Sequence, residues 1–296
     1  MSSVPGDDTE GHGACRTVHA HLVELADTLT VCDSRIRRRE PRGVHTMRVT
    51  LRRLRTVLAT FAPLVTRDSV ASLRQDLKWL AEELGSARDH DVIYARLKVL
   101  ATAEDERSLV ARIEAETRAT GSVGINSALD SDRYSELRRK LTSLATDSGW
   151  TTGAEPPVAL LRTGVRRDWK RVRRRVEDAG SLPRGAERNT ALHEVRKAAK
   201  RLRYSAETLV PAYSKEAGRF ARRAKRLQTR LGELQDSLVT QTLLREMAVV
   251  PGRSADELYI LGGLGAQERL LCVQAEGRSE IAWAQLARKR NRRWLT

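Results

Sequence analysis

The chain has 296 residues, of which 40% are hydrophobic. That is enough to fill the core of one large or two modest domains, and it argues against intrinsic disorder. Fifty-four Lys and Arg against 38 Asp and Glu give a formal charge of +16 and a pI near 10.5. Some face must therefore carry a field that attracts a polyanion, whether phosphate polymer, nucleic acid or anionic lipid. No run of eighteen apolar residues reads as a membrane span, and the stretch Met1–Asp8 lacks the basic start and apolar run of a secretory signal. A cytosolic protein is expected. Cys15, Cys32 and Cys272 are odd in number and scattered, which suits neither a disulfide framework nor a metal motif.

Taken in chain order, the pattern is all-α, with almost no alternating β-branched run. Residues 1–13 read as a loose polar tail. Helices are predicted at 15–32, 43–62, 68–102, 104–120, 131–147, 157–179, 188–213, 215–249, 254–275 and 277–294. Breakers separate several of them: Pro41-Arg42-Gly43, Gly121 to Gly124, Gly149 and Gly153 with Pro156-Pro157, Gly180 to Gly185 with Pro183, and Pro251-Gly252. The organisation expected is a first bundle at 14–148, a link at 149–157 and a second bundle at 158–296.

The two halves repeat each other. Val44-His45-Thr46-Met47-Arg48-Val49-Thr50-Leu51-Arg52-Arg53-Leu54-Arg55 aligns without a gap on Leu192-His193-Glu194-Val195-Arg196-Lys197-Ala198-Ala199-Lys200-Arg201-Leu202-Arg203, at an offset of 148. A second pair, Leu84-Gly85-Ser86-Ala87-Arg88-Asp89 and Leu231-Gly232-Glu233-Leu234-Gln235-Asp236, follows at nearly the same spacing. Two helices repeated once in the same order imply a duplicated helical bundle with a pseudo-twofold relation.

Each repeated helix divides its faces. Met47, Leu51, Leu54, Leu58 and Phe61 share one stripe, and His45, Arg48, Arg52 and Arg55 share another roughly 120° away. In the second copy the core stripe is Val195, Ala199, Leu202, Ala206 and Leu209, and the basic one is His193, Arg196, Lys200 and Arg203, widened by Lys197 and Arg201. A solvated charged face is the ordinary fate of such cations. Here like charges stand at i+3 and i+4, Glu194 is the only acid in either motif, and the arrangement is duplicated. A cation ladder rising ~5 Å per turn suits a linear phosphate chain better than a lone anion. His45 and His193 are expected near helix N-termini, where a bound phosphate would favour the protonated ring that the dipole disfavours.

Further cations crowd Arg162 to Arg175 and Arg219 to Arg230, whereas Glu104, Asp105, Glu106, Glu114 and Glu116 mark a helix expected to face away. His45, His90-Asp91 and Asp236 follow the order of a metal-dependent phosphohydrolase, but the second copy has Ser237-Leu238 in place of the dipeptide. Asp91 is expected instead as a partly buried partner of a ladder arginine. Gly85 and Gly232 are expected where helices approach closely, since no phosphate-loop pattern accompanies them. Aromatics at 4% leave few platforms for single-stranded bases. Sequence-independent contact with nucleic-acid phosphates stays open as the alternative, because it needs only cations. No membrane partner, metal or cofactor is expected, and the oligomeric state is left open.

These residues resemble the CHAD family, the α-helical domain named for its histidines. Four signatures appear in order: Val44-His45-x-x-Arg48-Val49-x-x-Arg52-Arg53-Leu54-Arg55, Leu84-Gly85-x-x-Arg88-Asp89-x-Asp91-Val92, Leu192-His193-x-x-Arg196-Lys197-x-x-Lys200-Arg201-Leu202-Arg203-Tyr204, and Leu231-Gly232-x-x-x-Asp236. The similarity runs from about Ala14 to Trp294. It implies two pseudo-symmetric four-helix bundles with a basic groove or channel between them that binds inorganic polyphosphate without catalysis, and a role at polyphosphate granules. The phosphate contacts it implies are His45, Arg48, Arg52, Arg53 and Arg55, then His193, Arg196, Lys197, Lys200, Arg201 and Arg203, with Lys78 and Lys225 on the following helices. The CYTH triphosphate-processing domain of many relatives has no counterpart in the sequence; Glu114-Ala115-Glu116 echoes its ExE start only superficially.

Overall fold

The computed structural model describes residues 13–40, 42–65, 67–84, 89–118, 125–146 and 157–296. Among them the chain is all-α: α1 Ala14–Arg37, α2 Gly43–Thr60, α3 Arg67–Glu83, α4 Asp89–Leu100, α5 Glu104–Arg118, α6 Ile125–Leu129, α7 Asp132–Ala145, α8 Ala159–Gly180, α9 Ala186–Thr208, α10 Ser214–Ala248, α11 Ala255–Ala287 and α12 Lys289–Arg292. Short 3-10 turns at Ala62–Leu64 and Arg293–Leu295 complete it. Helix starts are set by local chemistry. Ser131 Oγ accepts the Tyr134 N–H at 3.2 Å ahead of α7, and Ser254 and Glu257 form a reciprocal capping box on α11.

The boundaries differ from expectation in several places: α1 runs five residues past 32 to Arg37, and α9 ends at Thr208, five short of 213. The helix expected at 68–102 is two, α3 and α4. The break expected at 275–277 is absent, because α11 runs through Gly277, whose position has open space beside it and whose neighbour Glu276 is held by Arg188 at 2.9 Å. The short α6 lies between the helices expected at 104–120 and 131–147, where none was expected.

Both core stripes are buried. Met47, Leu51, Leu54, Leu58 and Phe61 of the first copy, and Val195, Ala199, Leu202, Ala206 and Leu209 of the second, lie in one continuous core. At the 148-residue offset α8 answers α1 and α9 answers α2. The single helix α10 spans the counterparts of both α3 and α4, and α11 those of α5, α6 and the start of α7. Helices α1, α2, α3 and α7 pack as one bundle; α8, α9, the first half of α10 and the end of α11 pack as its mate. A third four-helix set has its own core, formed by Tyr94 and Leu97 of α4, Val110 and Ile113 of α5, Leu244 and Met247 of α10, and Leu261 and Leu264 of α11. The hairpin α4–α5 of the first half thus packs on the second half. Packing crosses the expected division, and residues 149–156 of the expected link lie outside the described residues.

A buried carboxylate ties the halves together. Asp168 of α8, 2% exposed, accepts the Thr60 hydroxyl of α2 at 2.8 Å and lies 2.6 Å from Nε of Arg201 on α9. Gly164, one turn earlier, permits this approach, since a Cβ there would sit 3.0 Å from Thr60 Cγ2. The C-terminal end is pinned against α8, where Trp169 stacks on Trp283 at 5.2 Å and Arg166 Nε donates to the Leu295 carbonyl at 2.7 Å. Among the described residues no helix is long and apolar enough to cross a membrane.

Candidate functional site

Helices α2 and α9, the two copies of the repeated motif, pack on each other, and their basic stripes open onto one groove of about 900 Å³. From α2 come His45, Arg48, Arg52, Arg55, Thr56 and Ala59; from α9 come His193, Arg196, Lys197, Lys200, Arg201 and Tyr204. The walls are Arg74 of α3, Ile93 and Arg96 of α4, and Gln235, Asp236, Val239 and Thr240 of α10. Among the described residues, nine Lys and Arg side chains therefore line the groove with a single carboxylate, Asp236.

The crowding has electrostatic consequences. Burial, together with the Arg196, Arg52 and Arg48 guanidinium groups, pushes the Lys200 ammonium down to about 7 despite nearby Asp236. Burial also lowers Arg55, beside Arg74, and it raises Asp236 against the pull of Arg196, Arg96 and Lys200. His193 Nδ1 lies 3.1 Å from Gln235 Oε1. His45 Nδ1 and Arg196 Nε are buried with no hydrogen-bond partner among the described residues. The Arg196 guanidinium lies over Gly232, where a Cβ would be 3.3 Å from Nη2. The close approach expected at Gly232 is thus made by a side chain of the neighbouring helix.

Four of the expected contact residues do not line the groove. Arg53 bonds Glu207 at 3.0 Å, Arg203 bonds the same carboxylate at 2.6 Å, and both guanidinium groups sit over the Tyr204 ring. Glu207 lies one turn beyond the repeated motif, so it was not counted among the interleaved acids. Its counterpart in the first copy is Ala59, and there Arg55, the equivalent of Arg203, faces the groove. Lys78 is exposed and 3.5 Å from Glu82, and Lys225 is exposed on α10 and not among the lining residues. The histidines also differ from expectation. His45 is in the first turn of α2, but α9 starts at Ala186, so His193 is two turns in, because the breaker Pro183-Arg184-Gly185 ends eight residues ahead of His193 whereas Pro41-Arg42-Gly43 ends two ahead of His45.

The sequence reading missed Arg96 as a site residue. Its counterpart at the 147-residue offset that aligns Leu84-Gly85 with Leu231-Gly232 is Leu243, so the repeat offers no pointer to it. The fold aims it by a bidentate pair to the fully buried Glu268 of α11, at 2.5 and 2.9 Å, and by a 2.6 Å bond to the Ser237 hydroxyl. Gly85, Arg88 and the side chains of Asp89, His90 and Asp91 lie outside the described residues. Among the described residues no group of three or more His, Cys, Asp or Glu is placed to hold a metal ion. The acidic helix α5 contributes nothing to the groove; Glu106 caps its start by accepting the Thr102 and Ala103 N–H groups.

Comparison with known proteins agrees with this architecture. PptA from Streptomyces chartreusis superposes with a TM-score of 0.73 at 20% identity, over 92% of this chain and all of that one. The CHAD domain from the plant Ricinus communis superposes with a TM-score of 0.64 at 23% identity, over 96% and 98% of the two chains. Among curated proteins, the uncharacterized proteins Rv2226 and MT2285 of two Mycobacterium tuberculosis strains are each 29% identical over 276 residues. That match covers 91% of this chain and 53% of theirs, so the chain spans about half the length of these relatives. The family model of the CHAD domain matches residues 20–245, a span that holds every groove-lining residue, and the chain belongs to the CHAD domain family.

Proposed function

We propose that the protein binds inorganic polyphosphate in the α2–α9 groove, without chemistry, and that this serves to hold the polymer or to bring the protein to polyphosphate granules. The observation that carries the reading is the groove itself: among the described residues, nine cations and one carboxylate around about 900 Å³, a volume suited to a thin chain. His45 Nδ1 and Arg196 Nε, buried without a hydrogen-bond partner among the described residues, support it, because such groups cost free energy unless an anion or water satisfies them. The ring of Tyr204, the only Phe, Tyr or Trp on the lining among the described residues, is 4% exposed and covered by Arg53 and Arg203, so it offers no face to a nucleic-acid base.

The test is calorimetric titration at physiological salt with long-chain polyphosphate and then with duplex DNA at matched phosphate concentration. Polyphosphate is expected to bind at least tenfold more tightly, about 1.4 kcal/mol. Equal affinities would replace this reading with a generic cation surface. The variant Arg48→Ala/Arg196→Ala, with helicity intact, is expected to lose most of the polyphosphate affinity.

A further inference from the structure

The groove does not use all of the excess charge. On the first half of α10, Arg219, Arg222, Arg223 and Arg226 fall within an arc of about 100°, centred about 150° round the helix from the groove-facing Gly232, Gln235 and Val239. Three of the four are exposed and Arg223 is half-buried. Helix α12 packs against α10 and adds the exposed Arg290. None of these five forms an ion pair among the described residues. Burial and the surrounding Arg290, Arg226, Arg219 and Arg222 lower the affinity of Arg223 for its proton. Like charges at i+3 and i+4 destabilise a helix, and the repeat does not demand them: at the 147-residue offset that aligns Leu84-Gly85 with Leu231-Gly232, the equivalents are Ser72, Gln75, Asp76 and Trp79.

We propose that this outer face of α10, with Arg290 of α12, is a second binding surface for polyphosphate, so that one molecule holds two polymer segments on opposite sides and can cross-link chains. The identity of the polymer rests on the function proposed for the groove. The arginines are set by a rigid helix over about 10 Å, and their planar forks suit bidentate contact with successive phosphates. The surface is open and lacks an enclosing wall, so it should bind more weakly than the groove and more salt-sensitively.

Calorimetry with short-chain polyphosphate on three folded proteins tests this: the wild type, the outer-face variant Arg222→Gln/Arg223→Gln/Arg226→Gln, and the groove variant Arg48→Ala/Arg196→Ala. Two chains per wild-type molecule are expected, falling to one in either variant, with the tighter site kept by the outer-face variant. The wild type should also turn long-chain polyphosphate turbid, and the outer-face variant should not. One chain per wild-type molecule, or two in the outer-face variant, overturns the second surface and leaves the groove reading standing. Unchanged binding by the groove variant overturns the groove reading instead. Displacement of the weaker chain by duplex DNA at equal phosphate concentration would overturn the ligand assigned to the outer face.

Discussion

At the scale of single residues, Lys200 is the most consequential group. Its neighbours are Arg196 on its own helix, Arg48 and Arg52 across the groove on α2, and Asp236 on α10, and it titrates at about 7. A bound polyanion favours its charged form, so binding takes up a proton near neutrality. Affinity for polyphosphate is therefore expected to fall as pH rises from about 6 to 9, and a Lys200→Met variant should show a flatter profile. Without ligand the sign reverses for folding. The folded value lies below the ordinary 10.5, so between about 7 and 10.5 the unfolded chain binds more protons and stability rises with pH. Thermal melts of the wild type and Lys200→Met across that window check this. Gly232 acts at the same scale, for an added methyl must displace the Arg196 guanidinium. Gly232→Ala is expected to weaken polyphosphate binding about tenfold, ~1.4 kcal/mol, with helicity kept.

At the scale of elements, the duplicated helices α2 and α9 share a pattern but not a charge environment. Their buried stripes were legible because 3.6-residue periodicity is a local property, and all ten expected core positions are buried. The assignment of cations to the groove was legible only in part. Glu207 and Asp168 belong to the second half alone and claim Arg53, Arg203 and, partly, Arg201, and neither carboxylate lies inside the repeated motif. Asp168 also joins α8 to α2 and α9. Asp168→Ala leaves Arg201 without its carboxylate and is expected to cost about 3 kcal/mol in urea unfolding.

At the scale of the whole molecule, a pseudo-twofold arrangement brings two basic stripes to one groove and leaves a third on the outside. Polyphosphate affinity should rise with chain length, because longer chains reach more of the lining cations. It should fall on the order of a thousandfold between about 50 and 200 mM salt, as expected for six to ten phosphate contacts. A shallow salt dependence would mean that few of the nine lining cations meet phosphate. The crossing of the α4–α5 hairpin onto α10 and α11 makes the halves interdependent, so each half expressed alone would expose the core around Tyr94, Leu97, Leu244 and Leu264.

Primary structure alone carried the helical class, the duplication, the buried stripes and the positive field, because periodicity, repeat spacing and net charge are properties of neighbours along the chain. Tertiary structure decided which cations share a groove. It placed Arg96 there through Glu268, 172 residues away, and it withdrew Arg53 and Arg203 through Glu207, because a guanidinium turns to whichever carboxylate the packing brings within reach. It also decided that one helix, α10, presents a groove wall on one side and an uncompensated arginine face on the other.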